Sequence, residues 1–185
     1  MNLRRNCFLL LAAAVLAMPL GMIGQHEWTL RHGQAFSFPL QLVDPADPFH
    51  GRYLALSFKS PTAAIPPGVA MRYRDTAYAL VYQAQNGTGT FTEIRQEPPE
   101  NHPYMQVIVR GIKDGRAILR IPVDRFYLNE RLAPAAEAAY RQALRKDQKE
   151  AWAVVRLWKG MAVLEDVMVD GKPLLQFARE AVAKN

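Results

Sequence analysis

The sequence predicts a mainly antiparallel β domain of the α+β class, a small barrel or sandwich-like sheet, carried on an N-terminal transmembrane helix. The chain has 185 residues, of which 50% are apolar, so it can bury one sizeable core. An uncharged apolar run stands near the start of the chain. Short alternating segments separated by tight-turn signals follow it, and they favour an antiparallel sheet over a parallel one.

Residues 1–24 form the first predicted unit, a signal-anchor or transmembrane segment. Arg4 and Arg5 precede 18 residues without a charge, Cys7 to Gly24. A helix of this length spans ~27 Å, close to the ~30 Å hydrocarbon core of a bilayer, and Pro19 is expected to kink it or end it early. The small residues of a signal-peptide cleavage site fit poorly at its end, which favours an uncleaved anchor, but cleavage at an earlier position stays open.

Residues 25–185 form the second predicted unit, a β-rich extracytoplasmic domain. The basic residues ahead of the apolar run are expected to stay in the cytoplasm, so the rest of the chain lies across the membrane. We therefore predict a single-pass protein of the cytoplasmic (inner) membrane with a periplasmic C-terminal domain. The lipid bilayer is its first expected partner, through residues 7–24, and Trp28 suits the membrane interface.

Composition excludes two classes of function. The net charge is +6, but the basic residues are scattered and do not form the clustered stripe that binds nucleic acid. Cys7 is the only cysteine, so neither a disulfide within the chain nor a cysteine-based metal site can form.

Alternating apolar residues predict two strands in the first part of the domain. In residues 35–43 the apolar side chains fall on one face, and Pro39 indicates an edge strand or a bulge. Residues 52–58 alternate in the same way, with the two leucines and Phe58 on one face. The proline-rich residues 60–70 are typical of a loop.

Three hairpins and two helices are predicted after this loop. Asn86-Gly87, Asp114-Gly115 and Lys159-Gly160 are typical turns between strands. Ala-rich residues 132–150 have apolar side chains at helical spacing, and residues 172–184 are predicted to form a helix at the end of the chain. The domain then has seven or eight strands, one helix inserted before the last hairpin, and one terminal helix. The strands expected in the first two hairpins are 75–84, 88–96, 104–112 and 116–123.

The stretch Asp-Pro-Ala-Asp-Pro, residues 44–48, predicts a stiff corner ahead of the second strand. Each proline fixes its own φ and favours extended geometry in the residue before it, and the Asp side chains can bond nearby backbone N–H groups. Gly51 permits a positive φ or a bulge where the strand begins. The favoured interpretation is a corner that sets strand register. The alternative is an exposed recognition edge formed by Asp44, Asp47, His50 and Arg52.

The stretch that begins at Gly51 resembles the signature of the GDYXXLXY proteins, Gly-Asp-Tyr-x-x-Leu-x-Tyr. Gly51, Tyr53 and Leu56 match it, whereas Arg52 stands in place of the Asp and Phe58 in place of the last Tyr. The N-terminal membrane segment is similar to the family as well, so the resemblance covers nearly the whole chain. Two further stretches share in it, Arg125-Phe126-Tyr127-Leu128 and Val169-Asp170-Gly171.

The resemblance implies a bacterial, membrane-anchored protein of unknown biochemical role. It also implies a multi-span membrane protein as the natural partner, because family members often accompany one. It supplies no catalytic residue, since the family has none established. Arg52 removes the carboxylate of the motif, so metal binding or acid–base chemistry by that Asp would fail in this chain.

We predict a non-catalytic accessory module for a multi-span membrane protein or another envelope protein, without catalytic residues, metal or cofactor. The alternative is an envelope hydrolase or a ligand-binding β-barrel. A hydrolase would use Ser57 or Ser60 as the nucleophile, with Lys113, Lys159 or Lys172 as the base. A metal site would use Asp44, Asp47 and His50. The candidate interaction residues are Asp44, Pro45, Asp47, Pro48, Gly51, Arg52, Tyr53, Leu56 and Phe58.

Overall fold

Antiparallel strands make up most of the structure, a computed structural model, and this confirms the predicted fold class. The structure describes residues 2–41, 53–59, 61–84, 87–129, 134, 136, 138, 140, 151–176 and 179. These residues contain one long N-terminal helix, α1, at Asn2–His32. The strands that follow in the described residues are β1 (Gln34–Gln41), β2 (Tyr53–Ala55), β3 (Ser57–Phe58), β4 (Thr62–Ala64), β5 (Thr76–Gln83), β6 (Gly89–Arg95), β7 (Tyr104–Lys113), β8 (Arg116–Arg120), β9 (Arg125–Tyr127), β10 (Ala151–Trp158), β11 (Met161–Val169) and β12 (Lys172–Pro173).

The helix α1 is long and apolar enough to cross a membrane. An 18-residue window within Asn6–His32 has a mean hydropathy of 2.3, and none of it is buried in the protein. Of the two outcomes expected at Pro19, a kink or an early end of the helix, the early end is wrong, because the helix runs through Pro19. Pro19 removes one backbone hydrogen bond, but its neighbours are mostly strong helix formers, Leu, Ala and Met. The helix continues past Gly24 and ends at His32.

The inserted helix and the terminal helix are both present in part. Residues 134, 136, 138 and 140 are helical, with Ala136 and Tyr140 buried. Residues 174–176 and 179 are helical, with Leu174 buried. The rest of both predicted segments lies outside the described residues. Lys172 and Pro173 form β12 rather than a first helical turn, because a tight turn at Asp170-Gly171 returns the chain along β11.

Five strands form a sheet in the order β12-β11-β10-β1-β3. Phe36, Phe38 and Leu40 are buried on one face of β1, as the alternation predicts. The expectation that Pro39 marks an edge strand is wrong, because β1 lies inside the sheet. The carbonyl of Pro39 accepts a hydrogen bond from the N–H of Lys59, the residue just beyond β3. The missing N–H of Pro39 therefore faces the place where the short neighbouring strand has already ended.

Five strands close into a barrel in the order β4-β6-β5-β7-β8. The strand β4 falls within residues 60–70, so the prediction of a loop is wrong for Thr62–Ala64. Ala63 is fully buried and pairs with Ala117 of β8, while Ala64 pairs with Glu93 of β6. Three residues are enough, because β4 only has to fill the gap between two strands that the hairpins already position.

The turns predicted at Asp114-Gly115 and Lys159-Gly160 are confirmed. Asp114-Gly115 has φ values of 51° and 71°, and Lys159-Gly160 has φ values of 46° and 82°. Left-handed backbone at both central residues is the mark of a type I′ turn, whose twist matches that of the flanking strands. The strands β5 and β6 pair as the hairpin expected at Asn86-Gly87 requires, and Asn86 itself lies outside the described residues.

The ring of Phe38 joins the sheet to the barrel. It stacks on Phe91 of β6 with a centroid distance of 5.1 Å, and it meets Phe58 of β3 edge-on at 6.2 Å. Gly89 of β6 leaves room for it, since a Cβ there would lie 2.9 Å from ring atoms of Phe38. One hydrophobic core is therefore shared by the five-stranded sheet and the barrel.

The strand β11 contains a β-bulge, and the partly buried carboxylate of Asp166 lies next to it. The register of β10 and β11 shifts between Val154 and Val155, which leaves Glu165 as the extra residue. Partial burial raises the pKa of the adjacent Asp166 above its ordinary value. The hydrogen bond that Val167 N–H donates to Asp166 lowers that pKa, and the charge of Glu165 raises it.

Substituting Asp166 by Asn is expected to stabilise the protein at neutral pH. A raised folded pKa contributes stability at low pH, and this contribution is lost as the pH rises through the raised value. We expect the gain near pH 7 to stay below about 1 kcal/mol, because solvent screens the partly exposed carboxylate. Thermal unfolding near pH 4 and near pH 7 measures it, and an equal gain at both would contradict the prediction.

Candidate interaction site

The two stretches that carry the resemblance pair with each other. The strands β2 and β9 form an antiparallel ladder in which Tyr53 lies opposite Tyr127 and Ala55 opposite Arg125. Beyond the ladder, the N–H of Leu56 donates to the carbonyl of Asp124 at 2.9 Å. Residues far apart in the sequence therefore form one structural unit.

The period of two residues in each strand separates this ladder into two faces. Leu54 and Phe126 lie opposite each other and are buried in the core. The alternate residues point the other way, and Tyr127 is 67% exposed. We call Tyr53, Arg125 and Tyr127 the aromatic–arginine surface.

The guanidinium of Arg125 is held over an aromatic ring. Its Cζ lies 4.9 Å from the centroid of the Tyr53 ring, within the range of a cation–π interaction. The rings of Tyr53 and Tyr127 are 5.8 Å apart and tilted by 57°. A hydrogen bond with Tyr127 raises the pKa of Arg125, and electrostatic interactions with Tyr53 and Asp124 raise it further. The surface therefore carries a permanent positive charge beside two phenol rings.

The candidate interaction residues have different outcomes. Tyr53 exposes part of its ring on the aromatic–arginine surface, whereas Leu56 and Phe58 are buried in the core. Both buried residues stabilise the position of β2 and β3 and are not available to a partner. The remaining six, for which the recognition role stays a prediction, lie outside the described residues: Asp44, Pro45, Asp47, Pro48, Gly51 and Arg52.

Sequence reasoning did not single out Arg125 and Tyr127 as an interaction site. The signal was present, because the two polar or amphipathic residues flank the apolar Phe126 with a period of two. This alternation did not by itself identify a site, because nothing in the sequence showed that β9 pairs with β2.

The domain is held against the end of α1. Thr29 is buried, and its hydroxyl donates to the carbonyl of Gln25 at 2.9 Å while its oxygen contacts the sulfur of Met161 at 3.3 Å. The carbonyl of Gly33 accepts a hydrogen bond at 3.1 Å from Arg156 of β10. Arg156 is also paired with Glu165 at 2.8 Å. These contacts fix the orientation of the sheet relative to the helix.

Among the described residues of the hydrolase alternative, Ser57 and Lys159 do not line a common cleft. Lys159 lines a cleft of about 630 Å³ between the barrel and the β10–β11 hairpin, and Ser57 is not among the described residues that line it. The hydroxyl of Ser57 accepts a hydrogen bond at 3.1 Å from the amide of Gln41 on β1. Ser60 lies outside the described residues.

The residues predicted to bind a metal ion lie outside the described part of the chain. Among the residues of known position, no group of three or more His, Cys, Asp or Glu is placed to hold a metal ion. Asp44, Asp47 and His50, the predicted ligands, are not part of that set.

The fold and the site define a class of protein, a barrel-containing antiparallel β domain preceded by one long apolar helix that is compatible with membrane anchoring. Within that class the chain belongs to the GDYXXLXY family, whose model matches residues 15–167. The match begins inside α1 and extends into β11, so it includes both β2 and β9. We call this pair of strands the motif ladder. No curated protein and no solved structure matches the chain at a significant level.

Proposed function

We propose that this protein is a membrane-anchored accessory module whose domain binds a multi-span membrane protein through the aromatic–arginine surface. In this proposal α1 holds the chain in the cytoplasmic membrane and the β domain lies in the periplasm. The observation that carries the proposal is the exposed, ordered stack of Arg125 on Tyr53 beside Tyr127.

The chemistry of this surface suits a protein partner. Tyr and Arg are the residue types that most often dominate binding energy at protein interfaces. The guanidinium offers fixed donors to carboxylates or carbonyls, and the two phenol rings offer apolar area with a polar tip.

The surface is also ordered before binding. Both of its strands are anchored by buried residues, Leu54 and Phe126, and Arg125 is held by the neighbouring ring. A side chain that is ordered in advance loses less conformational entropy when a partner binds. This favours an interaction role over a merely solvated strand face.

Site-specific photocrosslinking in intact membranes tests the proposal. A benzophenone side chain at Tyr127 of the full-length chain is expected to give a discrete adduct with an integral membrane protein. The matched control is Tyr73, which is 66% exposed and stacks with Arg74 at 5.5 Å but lies outside the motif ladder.

Variants sharpen the same experiment. Arg125→Ala with Tyr127→Ser is expected to lower copurification of the crosslinked partner at least about tenfold. Tyr73→Ser with Arg74→Asn, which removes a similar exposed pair, is expected to leave it unchanged. Equal adduct yields from positions 127 and 73, or full copurification by the first variant, would overturn the proposal.

A further inference from the structure

An open crevice of about 650 Å³ separates the end of α1 from the tip of the β10–β11 hairpin. On the helix side it is open, because nothing beyond the adjoining part of α1 lies within 4 Å of where a Cβ would stand at Gly21 or Gly24. The walls include Gly21, Gly24 and Trp28 of the helix and Trp158, Lys159 and Met161 of the hairpin.

The walls of this crevice are mainly apolar and exposed. Trp28 is 53% exposed, and Trp158 and Met161 are each 38% exposed. They continue the exposed apolar surface of α1 onto the β domain. Among the described residues of the crevice, Lys159 is the one that carries a charge. Such an apolar patch with a basic residue is complementary to a phospholipid surface.

The position of the hairpin tip along the axis of α1 agrees with a contact to lipid headgroups. The tip faces the helix from Gly21, inside the apolar run, to Thr29 beyond it. The run ends at Gly24, so Trp28 stands only ~6 Å past its end. The headgroup layer is itself about 5–8 Å thick on each side of the hydrocarbon core. The tip therefore lies at the depth of the headgroups when the apolar run spans the bilayer.

The hairpin tip is held rigidly at this height. The Gly160 carbonyl accepts a hydrogen bond from the N–H of Gln106 in the barrel at 2.9 Å. On the other side, Met161 contacts the hydroxyl of Thr29. A tip fixed between barrel and helix cannot swing away from the membrane independently of the domain.

We propose that the β10–β11 hairpin tip is a second membrane contact and that its crevice takes one phospholipid of the outer leaflet. Trp28, Trp158 and Met161 contact the glycerol region and upper acyl chain, and the ammonium of Lys159 contacts the phosphate. The contact sets the orientation of the domain on the membrane, in addition to the tether that α1 provides. This inference rests on the membrane anchoring in the proposed function.

Lipid quenching of a fluorescent label tests the contact. The full-length chain, with Cys7→Ser to remove the exposed native thiol, is labelled with bimane at Lys159→Cys and reconstituted in nanodiscs. The discs contain phosphatidylethanolamine, phosphatidylglycerol and a lipid with a nitroxide on its headgroup. We expect the label at position 159 to be dimmer than in identical discs without the nitroxide lipid, as for a side chain in the interfacial layer.

Asp114→Cys is the matched control. It replaces the same position of the same type of turn, with a φ of 51° against 46° at Lys159. It follows the other end of β7, ~30 Å of extended chain away from Met105, which pairs with Gly160. Its label is expected to stay bright.

A second label keeps the lysine in place. Bimane at Met161→Cys is expected to be quenched, and Lys159→Glu in that chain is expected to weaken the quenching because glutamate repels lipid phosphate. Equal fractional quenching by the nitroxide lipid at positions 159 and 114 while the chain resists alkaline extraction would overturn the hairpin contact alone. Release of the chain by alkaline extraction would instead overturn the anchoring. Quenching at position 161 that is indifferent to Lys159→Glu would overturn the phosphate contact.

Discussion

Phe38→Ala is expected to lower the free energy of unfolding by about 3–5 kcal/mol, the range for truncating a buried phenylalanine. Its ring is 2% exposed and contacts Phe91 of the barrel as well as Phe58 at the end of the motif. Truncation leaves a cavity where sheet and barrel share their core. Chemical denaturation of the full-length chain in detergent, followed by tryptophan fluorescence, measures the loss.

Tyr73→Ala is the control for this variant. It also removes an aromatic ring, but that ring is 66% exposed, so we expect a change within about 0.5 kcal/mol. A loss from Phe38→Ala as small as that of the control would show that the sheet and the barrel do not depend on a common core.

Gly33→Ala is expected to destabilise the joint between α1 and the sheet by about 3 kcal/mol, the upper end for overpacking. A Cβ at Gly33 would lie 2.5 Å from the carbonyl oxygen of Thr29 and 3.0 Å from that of Leu157. Both obstacles are backbone atoms, which cannot move aside as a flexible side chain can. The midpoint of thermal unfolding of the full-length chain measures the effect.

Gly111→Ala provides the comparison. Gly111 lies in β7, where a Cβ would meet only the Ile118 side chain, at an ordinary 3.7 Å. We expect that variant to unfold close to the wild-type midpoint. Equal midpoints for Gly33→Ala and wild type would contradict the close approach of β10 to the end of α1.

The joint at Gly33 has a consequence for function. The same contacts that fix the sheet to α1 hold the β10–β11 hairpin beside the apolar run. Loosening the joint is therefore expected to weaken quenching at the hairpin label as well as stability. A change in quenching without a change in copurification would separate the lipid contact from the partner contact.

The elements that local chemistry specifies were predictable from the sequence. The turns at Asp114-Gly115 and Lys159-Gly160 were identified because a glycine between two alternating apolar runs is typical of two-residue hairpins. The buried face of β1 was identified because Phe36, Phe38 and Leu40 alternate with less apolar residues. The apolar run of α1 was identified from its length and lack of charge.

The predictions of secondary structure were wrong where the neighbouring segments determine whether a stretch forms a strand or a helix. Thr62–Ala64 has no strand pattern of its own and becomes a strand because β6 and β8 leave a gap that it fills. Pro39 can lie in an inner strand because its short neighbour ends beside it. Pro19 is kept in a helix by the residues around it.

By itself the sequence determined the apolar helix, the hairpins, the buried faces of the strands and the family of the protein, because periodicity, turn geometry and motif residues act over a few positions. Only the tertiary structure decided that Tyr53 and Arg125 share one surface and that the hairpin tip stands beside the end of α1. Both juxtapositions join residues more than seventy positions apart. Such pairings are selected by the burial of one common core, which no local pattern in the chain encodes.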